Sequence, residues 1–111
     1  MAYFGYKVKF EELRSFDSST FTGSYQTFGD TFSNPIVLFK IQNDSDADAT
    51  ISFDGSTDQE VVLAGSFVLY DLSANKLLAP IAALSKGTQV YIKGTAGTGN
   101  IYLTAIYIEE R

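Results

Sequence analysis

Residues 49–55 read Ala-Thr-Ile-Ser-Phe-Asp-Gly, and this stretch decides the fold class. Ala49, Ile51 and Phe53 alternate with polar residues, which is the period of a strand with one buried face. The Asp54-Gly55 pair that follows is typical of a turn between two strands. The stretch therefore predicts a half-buried strand that ends in a reversal of the chain.

The alternation of apolar and polar residues recurs at the start of the chain, but it is absent from residues 36–41. Apolar and other residues alternate from Phe4 through Tyr6 and Val8 to Phe10, which predicts a half-buried first strand. Residues 36–41 are instead nearly all apolar. A continuous apolar run is typical of a strand that is covered on both faces.

Two further pairs of apolar runs flank turn residues. Residues 60–63 and 67–72 lie on either side of Ala64-Gly65. Residues 89–93 and 101–108 lie on either side of a glycine-rich run. Glycine at such positions is typical of a turn that joins antiparallel strands. Both arrangements predict hairpins.

Short strands about ten residues apart, with turn signals between them, indicate an antiparallel fold. Residues 77–84 could form one helical turn, but Pro80 lies in their middle and favours a loop. We therefore predict an all-β protein, an antiparallel β-sandwich or a jelly-roll-like barrel with short hairpin loops and little or no helix. We expect a single β domain over residues 1–111, in which residues 1–35 form an aromatic, turn-rich N-terminal segment.

The last predicted strand is apolar on both faces. Ile101, Leu103 and Ala105 fall on one face, and Tyr102, Ile106 and Ile108 fall on the other with a threonine. An exposed apolar strand face favours aggregation unless something covers it. Two interpretations stay open, since the second face could be covered within the domain or by another subunit.

The composition narrows the classes of function. The chain has 111 residues and a net charge of −5, with no Cys and no His. The missing residue types exclude disulfides, thiol nucleophiles and the commonest general base. Net acidity argues against a nucleic-acid partner, and no apolar run is long enough for a membrane helix. We expect neither of those partners, no cofactor and no enzymatic activity.

The most tempting candidate for a metal site is the acidic stretch at residues 44–48. Asp44, Asp46 and Asp48 stand at alternating positions, as the first ligands of a calcium loop do. An EF-hand loop that starts at Asp44 would need Gly where Ala49 stands and Glu where Gly55 stands. These three aspartates are therefore weak candidates for a metal site, and a solvated turn is the alternative.

The glycine-rich run at residues 94–99 invites comparison with a phosphate-binding loop. A P-loop continues into Lys and Ser or Thr at the start of a helix, whereas Asn100 and a predicted strand follow here. We expect a flexible hairpin tip. A hydrolase with paired carboxylates is the weakest of the functional alternatives, because short loops leave little room for a deep cleft.

Residues 41–55 resemble a pattern of small virion proteins of tailed bacteriophages. In that pattern an apolar strand ends in Asn, a short polar turn follows, and the next strand closes in Ser-Phe-Asp-Gly. Other short motifs spread over nearly the whole chain look similar: residues 13–16, 23–29, 63–66, 70–72, 73–76, 84–91 and 99–102, and Tyr107.

The resemblance implies a structural part of the particle, either a capsid decoration protein or a head–tail or neck component. It implies location in the virion after assembly in the host bacterial cytoplasm, with the chain itself and other virion proteins as partners. A ligand-binding β-sandwich, for carbohydrate or calcium-dependent adhesion, is the alternative. Because large aromatics commonly anchor interfaces, we expect the contact residues among the N-terminal aromatics and the last strand. The candidates are Tyr3, Phe4, Tyr6, Phe10, Phe16, Phe21, Tyr25, Phe28, Tyr102, Ile106 and Ile108.

Overall fold

The computed structural model describes residues 6–72 and 84–110, and for Tyr6, Lys7, Glu109 and Glu110 it describes the backbone. These residues form nine strands and one 3-10 turn, Ser18–Thr20. The strands are β1 (Tyr6–Phe10), β2 (Arg14–Asp17), β3 (Gln26–Thr27), β4 (Leu38–Asn43), β5 (Ala49–Ser52), β6 (Glu60–Val62), β7 (Phe67–Asp71), β8 (Tyr91–Gly94) and β9 (Asn100–Glu110).

The strands form two antiparallel sheets. The five-stranded sheet has the order β1-β9-β4-β7, and β2 pairs with the same long strand β9. β1 pairs with the second half of β9 and β2 with its first half, while β4 pairs with the other edge of β9. The four-stranded sheet has the order β3-β8-β5-β6. The predicted all-β class is therefore confirmed, and the two sheets are consistent with a sandwich.

The core lies between the sheets and draws on both of them. Ile41 from β4 and Leu103 from β9 represent the five-stranded sheet, and Ile51 from β5 and Ile92 from β8 represent the four-stranded sheet. All four side chains are buried. Burial of apolar surface is the main favourable term in folding, so this shared core is what holds the two sheets together.

Two predicted hairpins are wrong. β6 lies in the four-stranded sheet and β7 in the five-stranded sheet, so the turn at Ala64-Gly65 carries the chain between sheets. β8 and β9 are divided in the same way. A turn signal marks where a chain reverses, but not whether the next strand pairs with the previous one or crosses to the facing sheet. The reversal after β5 is a true hairpin, because β5 pairs with β6.

Two predictions of strand burial are also corrected. In β4, the side chains of Phe39, Ile41 and Asn43 are buried while the alternate positions are half-buried, so the strand is not covered on both faces. In β1, Val8 and Phe10 are exposed, so the apolar side of the strand faces outward. The predicted loop around Pro80 and the start of the first strand at Phe4 lie outside the described residues.

The Ser-Phe-Asp-Gly sequence builds the turn after β5. The Ser52 hydroxyl donates to the Asp54 carboxylate, which also accepts from the amides of Ser56 and Thr57. These donors hold the pKa of Asp54 well below its ordinary value. Gly55 has a φ of +82° and lies beneath the ring of Tyr91, where both the conformation and the space suit glycine.

Candidate interaction surface

The outer face of the five-stranded sheet carries an apolar patch. In β9, the buried residues alternate with half-buried side chains that point away from the core. Val8 lies opposite Ile108, and Phe10 lies opposite Ile106. Leu38 of β4 pairs with Ile106 from the other side. Because paired residues share a face, these five side chains form one surface, which we call the outer patch.

The outer patch includes two exposed apolar side chains from the part of β1 whose side chains the structure describes. Val8 is 64% exposed and Phe10 is 65% exposed. Beyond Ile106, β9 pairs only with β1 among the described residues. The end of the sheet is therefore a two-stranded ribbon, and such a ribbon is marginally stable by itself in water. A contact that covers the outer patch would hold this ribbon in place.

A second exposed apolar group lies at the opposite edge of the same sheet. Phe67 and Leu69 of β7 are in register with Gln42 and Lys40 of β4, so they lie on the outer face. Both side chains are more than half exposed, and the neighbouring Tyr70 is exposed as well. The polar side chains of β4 separate this edge from the outer patch. Val8, Phe67 and Leu69 were not among the contact residues predicted from the sequence. Val8 alternates with lysines, but Phe67 and Leu69 lie in a continuous apolar run, in which the sequence does not show which side chains are exposed.

Three of the aromatic contact candidates fill the core. Phe28 and Phe21 are buried, and Phe16 packs against the core with ring centroids 5.0 Å from Phe21 and 6.1 Å from Phe28. These rings leave little or no surface for another protein, so the N-terminal segment contributes to its own domain's core. The side chain of Tyr6 and all of Tyr3 and Phe4 lie outside the description.

Tyr25 lies by the four-stranded sheet and is held by charged neighbours. Its hydroxyl donates a hydrogen bond to Asp58, and the Lys93 ammonium lies 2.9 Å from the same carboxylate and 4.6 Å from the Tyr25 ring centroid. Burial and the bond to Asp58 raise the pKa of Tyr25 to about 12. The hydrogen bonds from Tyr25 and Lys93 lower the pKa of Asp58. This cluster fixes the ring against the sheet.

The contact candidates in the last strand lie on the outer face of the five-stranded sheet. Tyr102, Ile106 and Ile108 are half-buried, and the alternation with buried core positions extends from Ile101 to Ile106. Tyr102 lies opposite Ser15 and Gln42 in the polar part of the face. Ile106 and Ile108 belong to the outer patch. The sequence left open whether the second face of β9 is covered within the domain or by another subunit. Among the described residues, the core covers one face of β9 only.

The three aspartates of the acidic turn point to different parts of the chain. The Asp44 carboxylate accepts from the Gln42 side chain, that of Asp46 from the Thr98 amide, and that of Asp48 from the Ala64 amide. No group of three acidic side chains that could hold a metal ion occurs in residues 6–72 and 84–110. Asp46 and Asp48 thus accept from backbone amides of neighbouring loops, and Asp44 accepts from a nearby side chain, which is the role expected of a structural turn.

Asn43 organises this acidic turn from within. Its side chain is fully buried, and its amide donates to the carbonyls of Ala47 and Val62. Its side-chain oxygen accepts from the amide and the hydroxyl of Ser45. All the polar capacity of the buried amide is thus used, which explains why an apolar strand ends in Asn at this position.

The glycine-rich run is packed against the acidic turn and is not a free hairpin tip. The Thr98 amide reaches the Asp46 carboxylate, and the Gly97 amide donates to the Ser18 carbonyl. A Cβ at Gly99 would lie 2.6 Å from the Asp44 carbonyl oxygen, and this glycine has a φ of +107°. Glycine is needed here because two backbones approach closely.

A polar cleft of about 200 Å³ lies near the corner between β1 and β2. Its lining includes the ion pair of Arg14 and Glu11, which we call the clamp. Arg14 donates to Glu11 and to the carbonyls of Asp30 and Thr31, and its guanidinium lies 4.8 Å from the Phe32 ring centroid. Both charged side chains are more than nine-tenths buried. Their hydrogen bonds are made within the chain, so the cleft has a structural role that the sequence analysis missed.

Comparisons with known proteins are sparse. No family model and no curated protein sequence matches the chain. Among solved structures, one that matches is the crystal structure of the Dit protein of phage SPP1, described as a paradigm of the hub adsorption apparatus in phages that infect Gram-positive bacteria. The identity is 14% and the TM-score 0.42 over 90% of this chain. The chain spans 49% of the length of that protein. No helix in the described part of the chain is long and apolar enough to cross a membrane.

Proposed function

We propose that this chain is a non-enzymatic structural component of a tailed-phage particle that assembles with itself and with other virion proteins. The observation that carries the proposal is the outer patch, where the exposed Val8 and Phe10 of β1 lie beside the half-buried Ile106 and Ile108 of β9. The sequence resemblance to small virion proteins supports the same role. A particle component has neighbours that cover such a surface, and exposed apolar patches commonly mark protein contacts.

The alternative, a calcium-dependent binding module, has less support. The acidic side chains that suggested it accept hydrogen bonds from three separate segments of the chain. Catalysis would need a cleft with convergent reactive groups. The polar cleft beside β1 contains one carboxylate–guanidinium pair, and its groups are already bonded to each other and to nearby loops.

The test is whether particles contain the chain and whether the outer patch places it there. Purified particles whose genome encodes the chain are expected to contain it in stoichiometric amount by quantitative mass spectrometry. The double variant Val8→Asp, Phe10→Asp is expected to fold and yet to be missing from particles, because buried charges at a contact are costly. Val61→Asp, at an exposed apolar position on the edge of the four-stranded sheet, is the matched control.

Point variants test the patch better than removal of the N-terminal residues. A deletion that reached residue 16 would also remove Arg14 and Phe16, which hold a loop and pack against the core. Loss of assembly would then follow from unfolding alone. Particles without the wild-type chain, or normal incorporation of the charged double variant, would overturn the proposal.

A further inference from the structure

The strand edges of the two sheets are protected to different degrees. The edges of the four-stranded sheet are β3 and β6, which are two and three residues long. In the five-stranded sheet, β1 carries two lysines. β7 is five residues long, and its first four residues are Phe, Val, Leu and Tyr. Short length and lysine both discourage pairing with another chain, and β7 has neither.

The hydrogen-bonding pattern shows which backbone groups of β7 are directed outward. The Asn43 amide bonds the Ser66 carbonyl, and the Leu72 amide bonds the Val37 carbonyl. Bonded pairs alternate along an antiparallel ladder, so Val68 and Tyr70 point their backbone groups toward β4. The amide and carbonyl of Leu69 therefore point away from β4. Within the described ranges, β4 is the strand that pairs with β7.

We propose that β7 pairs antiparallel with β7 of a second copy of this chain, about a two-fold axis at Leu69. This inference rests on the proposed function and names the surface through which the chain assembles with itself. In this register Leu69 faces Leu69 of the second copy, and Val68 faces Tyr70. Apolar side chains thus meet apolar side chains at the three central positions, Phe67 faces Asp71 at each end of the paired strands, and the two five-stranded sheets join at their edges. The three central residues are apolar and complement themselves about the axis, and for this reason we assign the edge to a second copy.

The size of the contact sets its expected strength. Edge pairing of two five-residue strands is a small interface. It buries less than the roughly 1,200 Å² of accessible surface that separates weak, transient complexes from standard ones. We therefore expect a dimer that forms as the concentration rises and dissociates on dilution. In the particle, where copies are held close together, the same contact would persist through the high effective concentration.

The absence of cysteine from the chain allows a sharp test by disulfide trapping. Leu69→Cys places two thiols in directly opposed residues about 5.5 Å apart between Cα atoms, within disulfide range. Phe67→Cys is exposed on the same strand, but its two copies would lie about 14 Å apart along the paired strands. Leu63→Cys, 57% exposed compared with 53% for Leu69, lies just before the turn into β7 and is the matched control.

Under mild oxidation the Leu69→Cys protein is expected to be trapped largely as a dimer, while Phe67→Cys and Leu63→Cys remain monomers. Circular dichroism of the reduced variants checks that each one folds. Leu69→Lys is expected to abolish the concentration-dependent dimer in sedimentation velocity, and Leu63→Lys to leave it unchanged. Equal trapping of all three thiol variants, or trapping of none, would overturn the inference.

The two proposals fail separately. If particles contain the chain and Leu69→Cys is not trapped, the edge pairing is wrong and the virion role stands. If Leu69→Cys is trapped in solution and particles lack the chain, the virion role is wrong and the edge pairing stands.

Discussion

Two parts of the first 35 residues use large apolar side chains in opposite ways. In β1, Val8 and Phe10 point away from the core and are largely exposed. In the loops that follow β2, Phe21, Phe28 and Phe32 are buried between the two sheets. The two parts are close in sequence and both carry phenylalanine, yet one contributes to a surface and the other to the core between the sheets.

The difference comes from how each part is attached to the rest of the chain. β1 pairs with β9 in a register that places its apolar residues beside Ile106 and Ile108 on the outer face. The later loop runs beside the start of β8, where the Phe28 amide bonds Val90 and the Phe32 amide bonds Thr88. Its rings are thereby directed into the core. Aromatic content alone does not mark a contact surface, because register and loop anchoring decide where each ring points.

The largest expected effect comes from Phe28→Ala. The ring is fully buried and packs against Phe16, so its removal leaves a cavity in the core that joins the two sheets. We expect the free energy of unfolding to fall by about 3–5 kcal/mol. Phe10→Ala makes the same chemical change on the outer patch and serves as the matched control. Similar losses in the free energy of unfolding of the two variants, measured in urea, would show that the core and surface aromatics do not differ as described.

The next effect in size is expected from Arg14→Met. This change keeps the apolar stem and removes the donors to Glu11, Asp30 and Thr31. The Glu11 carboxylate would lose its cation while it stays buried, and we expect a loss of about 2–3 kcal/mol. Lys86→Met, on an exposed loop, is the control and is expected to change stability by less than about 0.5 kcal/mol. An unaffected melting temperature in Arg14→Met would show that the loop is not held by this clamp.

A smaller change in stability is expected from Phe10→Ser on the outer patch. Because the ring is mostly exposed, the free energy of unfolding of the monomer is expected to change by less than about 0.5 kcal/mol. Retention by a column of apolar resin is expected to decrease, since exposed apolar area decreases. If unfolding in urea shows a core-sized loss instead, Phe10 is covered within the domain and is no contact residue.

The smallest effect concerns Asp17, which begins the 3-10 turn before the buried aromatics. Its carboxylate accepts from the amide and the hydroxyl of Ser19, and these bonds lower the pKa of Asp17. A lowered folded-state pKa contributes stability above the unfolded value of 3.8, and this contribution is lost as the pH falls below it. Asp17→Asn is expected to lessen the loss of melting temperature between pH 5 and about pH 3. An unchanged acid profile would contradict the role assigned to this carboxylate.

The periodicity of the sequence predicted the strands and the all-β class, but it did not predict which strands pair. The alternation at Ala49–Ser52 correctly predicted a strand and a reversal, because both depend on neighbouring residues. The turns at Ala64-Gly65 and in the glycine-rich run connect strands of different sheets, which depends on contacts distant in sequence. Likewise, Phe10 and Phe28 are the same residue type, and both stand between residues that are not apolar. Only the register with β9 and the bonds to Val90 separate their roles.

The solution mass of the wild-type chain tests the central claim most directly. Sedimentation velocity or light scattering over a wide range of concentration, with and without calcium, measures whether the chain assembles with itself. We predict a discrete oligomer whose population increases with concentration and does not respond to calcium. A monomer at every concentration, or a mass that changes when calcium is added, would contradict the account.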